Sequence, residues 1–299
     1  MTYKIMQMGT IKIKNFTGFF VGLCVFILFS IDLLSKGFFY EVSKGNAKVY
    51  LFGSIHIAKK EAYPLDSIVE STFKNCKNIV FEINLSKVNP FEVMKYGIFK
   101  DTMTLEKAIP EKYFSIIDSV FRANSFPKFF YNKLQPWMAV LLQMSLELNT
   151  SNKDFVLGID LYLANKVDTT QLVSELETFY DQLNVFRALY DLSPEFFLDY
   201  FLIQQKTKNE EIEELFYAWL QGDTTKIIDQ ITPKNDATEL EKEFLELLND
   251  ERNVKMVSKI EEFISKGDCY FVVVGSAHLF GKKGILNLLK EKGYLVKKL

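Results

Sequence analysis

The chain holds two histidines, and both close the same local pattern. Val49-Tyr50-Leu51-Phe52-Gly53-Ser54-Ile55-His56 and Tyr270-Phe271-Val272-Val273-Val274-Gly275-Ser276-Ala277-His278 are each an apolar run ending in Gly-Ser-x-His. A carboxylate, Glu82, sits inside a third apolar run, Asn78-Ile79-Val80-Phe81-Glu82-Ile83. Glutamate is seldom buried without a partner. Two imidazoles and one carboxylate suit a catalytic divalent metal that keeps an open coordination position. Such an ion lowers the pKa of bound water to about 7 and polarises a carbonyl, which is hydrolytic chemistry. His56, Glu82 and His278 are therefore the candidate ligands for manganese, cobalt or zinc. Arg252 is the candidate cation for a substrate carboxylate or a developing oxyanion. Asp160 is read as an orienting partner of a histidine or as a helix cap, with direct ligation a third option.

Plainer readings compete with each assignment. Either histidine could simply hydrogen-bond backbone at a strand end, Glu82 could face water on an edge strand, and Arg252 could lie on a helix surface. The matched pair, which uses every histidine of the chain, tips the balance towards function. Neither HExxH nor GxSxG occurs, so zincin and serine-hydrolase chemistries lack support.

The elements that position these residues follow from pattern. Tyr-Phe-Val-Val-Val reads as a buried strand, and glycine at its end permits a sharp turn or close backbone approach. Both histidines then lie just past strand carboxyl ends, the edge at which open α/β sheets bind ligands. Phe38–Val42, a Lys44-Gly45-Asn46 turn and Ala47–Phe52 predict a hairpin delivering His56. Leu65, Ile68, Val69, Thr72 and Phe73 predict a helix with Pro64 in its first turn. The next strand places Glu82 near its end, adjacent to the His56 strand. Residues 91 to about 250 read as mostly helical, with starts at Thr104 and Pro136. The aromatics Phe196, Phe197, Tyr200, Phe201, Phe216 and Tyr217 read as packing in a helical core or lid. A helix through Arg252, the His278 strand, a helix over Lys283–Lys292 capped by Gly293, and a short strand at Tyr294–Val296 complete the chain.

Lys4, Lys12 and Lys14 precede an apolar run from Phe16 to Leu34. A basic flank before an apolar core predicts a signal peptide, or an uncleaved anchor with the remainder outside the cytoplasm. Residues 1–36 are set aside as this leader, and 37–299 form one domain. Leu23 is too bulky for a lipid-attachment site at Cys24. Cys76 and Cys269 could pair, although their spacing does not require it, and without a CxxC pair a structural zinc site is disfavoured. A net charge of -2 gives no footprint for nucleic acid, and 48% apolar residues suffice for a buried core. The wealth of Phe, with Lys, Asn and Ile, is the usage of a low-GC bacterial genome.

The chain resembles the TraB/GumN/Tiki family. The matching pieces are Tyr50–His56, Tyr63-Pro64-Leu65, Phe81-Glu82, Pro136-Trp137, Gly158-Ile159-Asp160, Leu176-Glu177-Thr178 with Gln182-Leu183, Arg252-Asn253, and Val272–Gly281 followed by Gly293-Tyr294. They run in order across residues 38–299, and the stretch Lys166–Thr170 departs from the family pattern. The resemblance implies a fold like that of erythromycin esterase and ChaN-like haem-uptake proteins: a mixed central β-sheet from two related halves, wrapped by helices. Tiki-type members are described as membrane-tethered, metal-dependent proteases using the two GxxH histidines and the glutamate, with manganese or cobalt. TraB itself is linked to shutting down peptide pheromones. The leading expectation is thus an α/β metal-dependent peptidase outside the cytoplasm acting on a peptide or protein. Its rivals are a metal-free esterase-like hydrolase using one histidine as base, and a binding protein for a peptide or haem-like ligand.

Overall fold

The computed structural model describes residues 37–150, 155–204 and 209–299. The expected leader lies outside them, and among the described residues no helix is long and apolar enough to cross a membrane. Strands β1 (Phe38–Lys44) and β2 (Ala47–Ser54) form the expected hairpin, paired from Phe38↔Gly53 to Lys44↔Ala47. Gly45 turns the chain with a φ of 62°, a left-handed conformation that suits glycine. β3 (Ile57–Lys59) follows at once, then helix α1 (Ser67–Asn75). This helix starts later than its periodicity suggests, because Asp66 accepts a hydrogen bond from the Ile68 N–H at 2.8 Å and caps it. Pro64 consequently precedes the helix instead of occupying its first turn.

β4 (Asn78–Phe81) ends one residue before Glu82, and α2 (Pro90–Gly97) lies beyond it. The stretch expected to be helical does hold α3 (Glu111–Ala123) and α4 (Pro136–Thr150), but also two strands. β5 (Phe155–Leu157) pairs with β3 in a small separate sheet. After α5 (Ile159–Ala164), β6 (Leu172–Glu175) joins the main sheet as an edge strand. Its short run, with Leu172 69% exposed, carries no apolar alternation to announce it. Next come α6 (Phe179–Leu192), further helices, and α7 (Glu251–Lys266), which ends at Gly267 in the left-handed conformation. β7 (Tyr270–Gly275), the one-turn helix α8 (Ser276–Leu279), α9 (Ile285–Glu291) and β8 (Leu295–Lys298) finish the domain.

The main sheet has the order β6-β4-β7-β2-β1-β8, with β6, β4, β7, β2 and β8 running one way and β1 antiparallel to both of its neighbours. It is a mixed α/β architecture, as expected. One adjacency differs: β4 neighbours the His278 strand, because β7 lies between it and β2. The reason is apolar content. Tyr270 to Val274 are all buried, and a strand covered on both faces belongs at the centre of a parallel sheet. Burying each Val or Phe there contributes about 1.5–3 kcal/mol relative to exposure. Phe39, Phe52 and Phe73 surround Phe271 with ring centroids 5.3–6.0 Å away. Trp219 donates its indole N–H to the Gly53 carbonyl at 2.7 Å, tying a helix of the middle region to the end of β2.

A second apolar cluster lies wholly among helices, around Tyr113, Phe121, Tyr131, Trp137, Phe197 and Phe244. Cys76 and Cys269 are joined by a disulfide with Cα atoms 5.0 Å apart, linking the segments that lead into β4 and β7.

Candidate functional site

Register decides the site. Ser54 pairs with Gly275, and Phe81 with Val273, so β2, β7 and β4 end together. His56, Glu82 and His278 all follow these ends, at the carboxyl edge of the parallel strands. Ser276 reinforces the junction by donating to the Ser54 carbonyl at 2.9 Å.

His278 is buried on α8. Its Nδ1 is 2.6 Å from the Asn253 Oδ1. Asn253 is fully buried, and its own amide donates to the Lys283 carbonyl at 3.0 Å, which turns its oxygen towards the ring. Nδ1 therefore carries a proton, which it donates to Asn253. The other ring nitrogen, Nε2, faces Glu82 and lies 3.6 Å from Oε1.

His56 is arranged alike but at the rim, its side chain 73% exposed. Its Nδ1 lies 3.2 Å from the Asp160 Oδ2. Asp160 is the second residue of α5 and not its cap, which is Gly158. The hydrogen bond and charge of Asp160 raise the imidazole above its ordinary value, to about 9. The Ile159 N–H donates to the Ile55 carbonyl at 2.9 Å, drawing α5 onto this loop. Gly158 permits the approach, since a Cβ there would stand 2.2 Å from the His56 carbonyl oxygen.

Glu82 is the most heavily held group. Its Oε1 accepts from Gln182 at 2.7 Å and from Arg252 at 2.8 Å, and its Oε2 accepts from the Gly275 N–H at 2.9 Å. Burial disfavours its charge, yet His278, Arg252 and His56 hold the carboxyl well below the usual carboxylate range. Arg252 donates from Nε to Glu177 at 3.1 Å, from Nη1 to the Leu248 carbonyl at 3.1 Å, and from Nη2 to both Glu82 and Glu177. Gln182 bridges the same two carboxylates, at 2.7 Å each. Arg252 thus spends its donors on orienting Glu82 and Glu177.

Three of these residues received no site role from the sequence: Glu177, Gln182 and Asn253. A signal existed for each. Glu177 is a glutamate between a strand and a helix cap, Gln182 lies five residues on, and Asn253 directly follows Arg252.

A cavity of about 600 Å³ opens over the edge, lined by His56, Glu82, Asp160 and Gln182 together with apolar residues such as Leu161 and Val173. The separation of His278 Nε2 and Glu82 Oε1 resembles that of two donors on one tetrahedral ion, about 3.4 Å for ~2.1 Å bonds. Among the described residues no three His, Cys, Asp or Glu side chains converge closely enough to hold a metal. The pair fits a metal, and His56 stands outside the cluster.

A mixed sheet with paired, pre-oriented histidines at its parallel edge defines the class. The chain matches the TraB/PrgY/gumN family over residues 38–298 and belongs to that family. No curated protein matches it, and no solved structure does.

Proposed function

We propose that the protein is a hydrolase acting on peptides, with a divalent metal held by His278 and Glu82 and with His56 at the rim as the acid. The observation that carries this reading is the pair of histidines, each with Nδ1 anchored by an acceptor, and His278 with its Nε2 beside the ionised Glu82. When bound, the ion supplies Lewis acidity, acidifying water and polarising a carbonyl. The chain's own residues do the rest. Asn253 and Asp160 fix the two rings. Gln182, Arg252 and the Gly275 N–H fix the Glu82 carboxylate. The apolar residues of the lining, Leu161 and Val173 among them, offer contact to the apolar parts of a substrate. His56, protonated at neutral pH through Asp160, is placed to give a proton to a leaving group.

One observation favours a second reading. The oxygens of Glu82 already accept three hydrogen bonds, and the His56–Asp160 dyad lines the cleft, as a metal-free acid–base hydrolase requires. The Cys76–Cys269 disulfide and the basic-then-apolar leader support a place outside the cytoplasm, secreted or held at the membrane.

The test is cleavage of a mixed peptide library by the full-length protein, with manganese, cobalt, zinc or a chelator, read by mass spectrometry. Cleavage that needs metal and is lost in His278→Ala, His56→Ala and Glu82→Gln is the expected result. Cleavage that survives chelation transfers the chemistry to the His56–Asp160 dyad. No cleavage under any condition, with peptide still bound, defeats both readings in favour of a binding protein.

A further inference from the structure

A second cavity, of about 870 Å³, lies outside the histidine cleft and differs from it in charge. Lys95, Lys100 and Arg187 line it with Glu92, Tyr96 and Tyr180. Arg187 reaches Asp191 at only 3.6 Å. Among the described residues neither Lys95 nor Lys100 engages a carboxylate or any other partner. The lone acid of the lining, Glu92, accepts a hydrogen bond from the Tyr180 hydroxyl at 3.2 Å. The cavity therefore carries an excess of cations over one occupied carboxylate.

Its floor is rigid. Tyr96 packs edge-on against both Tyr180 and Trp137, at 5.8 and 5.9 Å. Gln135 donates to the Ile98 carbonyl at 3.0 Å and accepts from the Trp137 indole at 3.0 Å, locking the start of α4 beneath α2. The volume lies within the usual range of ligand sites, roughly 300–1,000 Å³.

Placement connects it to the cleft. Tyr180 and Arg187 are seven residues apart, on one face of α6, and look into this cavity. Gln182, on another face of the same first turns, reaches Glu82 in the cleft. The segment from Glu82 to α2 likewise gives Asn84 to the cleft and Glu92 to the cavity.

We propose that this cavity is an accessory recognition site for peptide carboxylates, taking an acidic side chain or the C-terminus of a peptide whose scissile bond lies in the histidine cleft. The ligand class rests on the peptide-hydrolase reading, whereas anion capture rests on the cavity alone. The probe is a blocked tri-aspartate peptide, titrated by calorimetry into the full-length protein, with blocked tri-asparagine and inorganic phosphate as comparisons. Tri-aspartate binds saturably and tri-asparagine does not. Lys95→Ala/Lys100→Ala weakens binding about ten-fold, the order of one lost charge-assisted hydrogen bond, and Lys95→Arg/Lys100→Arg restores it. Glu82→Gln, which disables the proposed chemistry, leaves binding unchanged, so failure of the hydrolase reading is seen separately in the cleavage assay. Equal binding by the alanine double variant, equal binding of tri-asparagine, or loss of binding in Glu82→Gln overturns the proposal. Phosphate bound where tri-aspartate is not also overturns it, and assigns the cavity to phosphate.

Discussion

The two apolar clusters follow different rules. Around Phe271 the core is made by strands with helices such as α1 and α7 laid against them, and its side chains come from residues far apart in sequence. Around Trp137 it is made by helices, and its aromatics come from residues 105 to 244. The candidate chemistry sits at the edge of the first, where three strands stop in register. The second builds walls: α6 sends Gln182 to the cleft and Tyr180 to the cationic cavity. The two regions meet at the Arg252–Glu177–Gln182–Glu82 cluster, where Arg252 and Gln182 each donate to both carboxylates. The lesson is that the sheet fixes where the groups stand, while the helical region fixes how they point.

Substitutions can break that division or sharpen it. Phe271→Ala and Trp137→Ala should each cost about 3–5 kcal/mol of stability in urea titrations. The comparison lies in the imidazole signals of the two histidines by NMR. They should shift in the folded Phe271→Ala protein and stay in place in Trp137→Ala. Movement of both in the Trp137 variant would mean that the clusters are not separate. Arg252→Met comes next, at about 3 kcal/mol, because it leaves Glu82 and Glu177 buried without their cation. Its partner test is Arg252→Met with Glu177→Gln, which should recover part of the loss. No recovery would deny that Glu177 and Arg252 act as a unit.

The smallest effect is at the rim. The folded His56 pKa of about 9 lies above the ordinary 6.5, so its stabilisation is complete below about pH 6.5 and is lost as pH rises through 9. Solvent around this exposed ring keeps the amount small. In the metal-free protein Asp160→Asn should return the His56 titration towards 6.5, read from its ring proton signals. An unchanged midpoint would remove Asp160 as the cause.

Much of this was readable beforehand, for physical reasons. The His278 strand announces itself because Val272, Val273 and Val274 are consecutive and apolar, and the hairpin because Gly45-Asn46 separates two strand-like runs. The histidine pair is visible because its two copies share one local pattern. β6 was hidden, since an edge strand facing water needs no apolar alternation and borrows its order from β4. The neighbours of β4 were also hidden, because adjacency is a property of the whole sheet. Glu177, Gln182 and Asn253 escaped assignment for a third reason. Each acts by holding another polar side chain, and such pairings have no fixed spacing along the chain.

The place of β7 has a consequence for the order in which the molecule is made. Residues 270–275 insert between strands that start at residues 47 and 78, so the centre of the sheet waits for nearly the whole chain to emerge. Contacts this distant in sequence form slowly. A nascent chain that has not yet made β7 holds β2 and β4 without their common neighbour, and has His56 without His278. Assembly of the sheet centre and assembly of the histidine pair are therefore one late event, favoured by a chain that is kept unfolded until its synthesis is nearly finished.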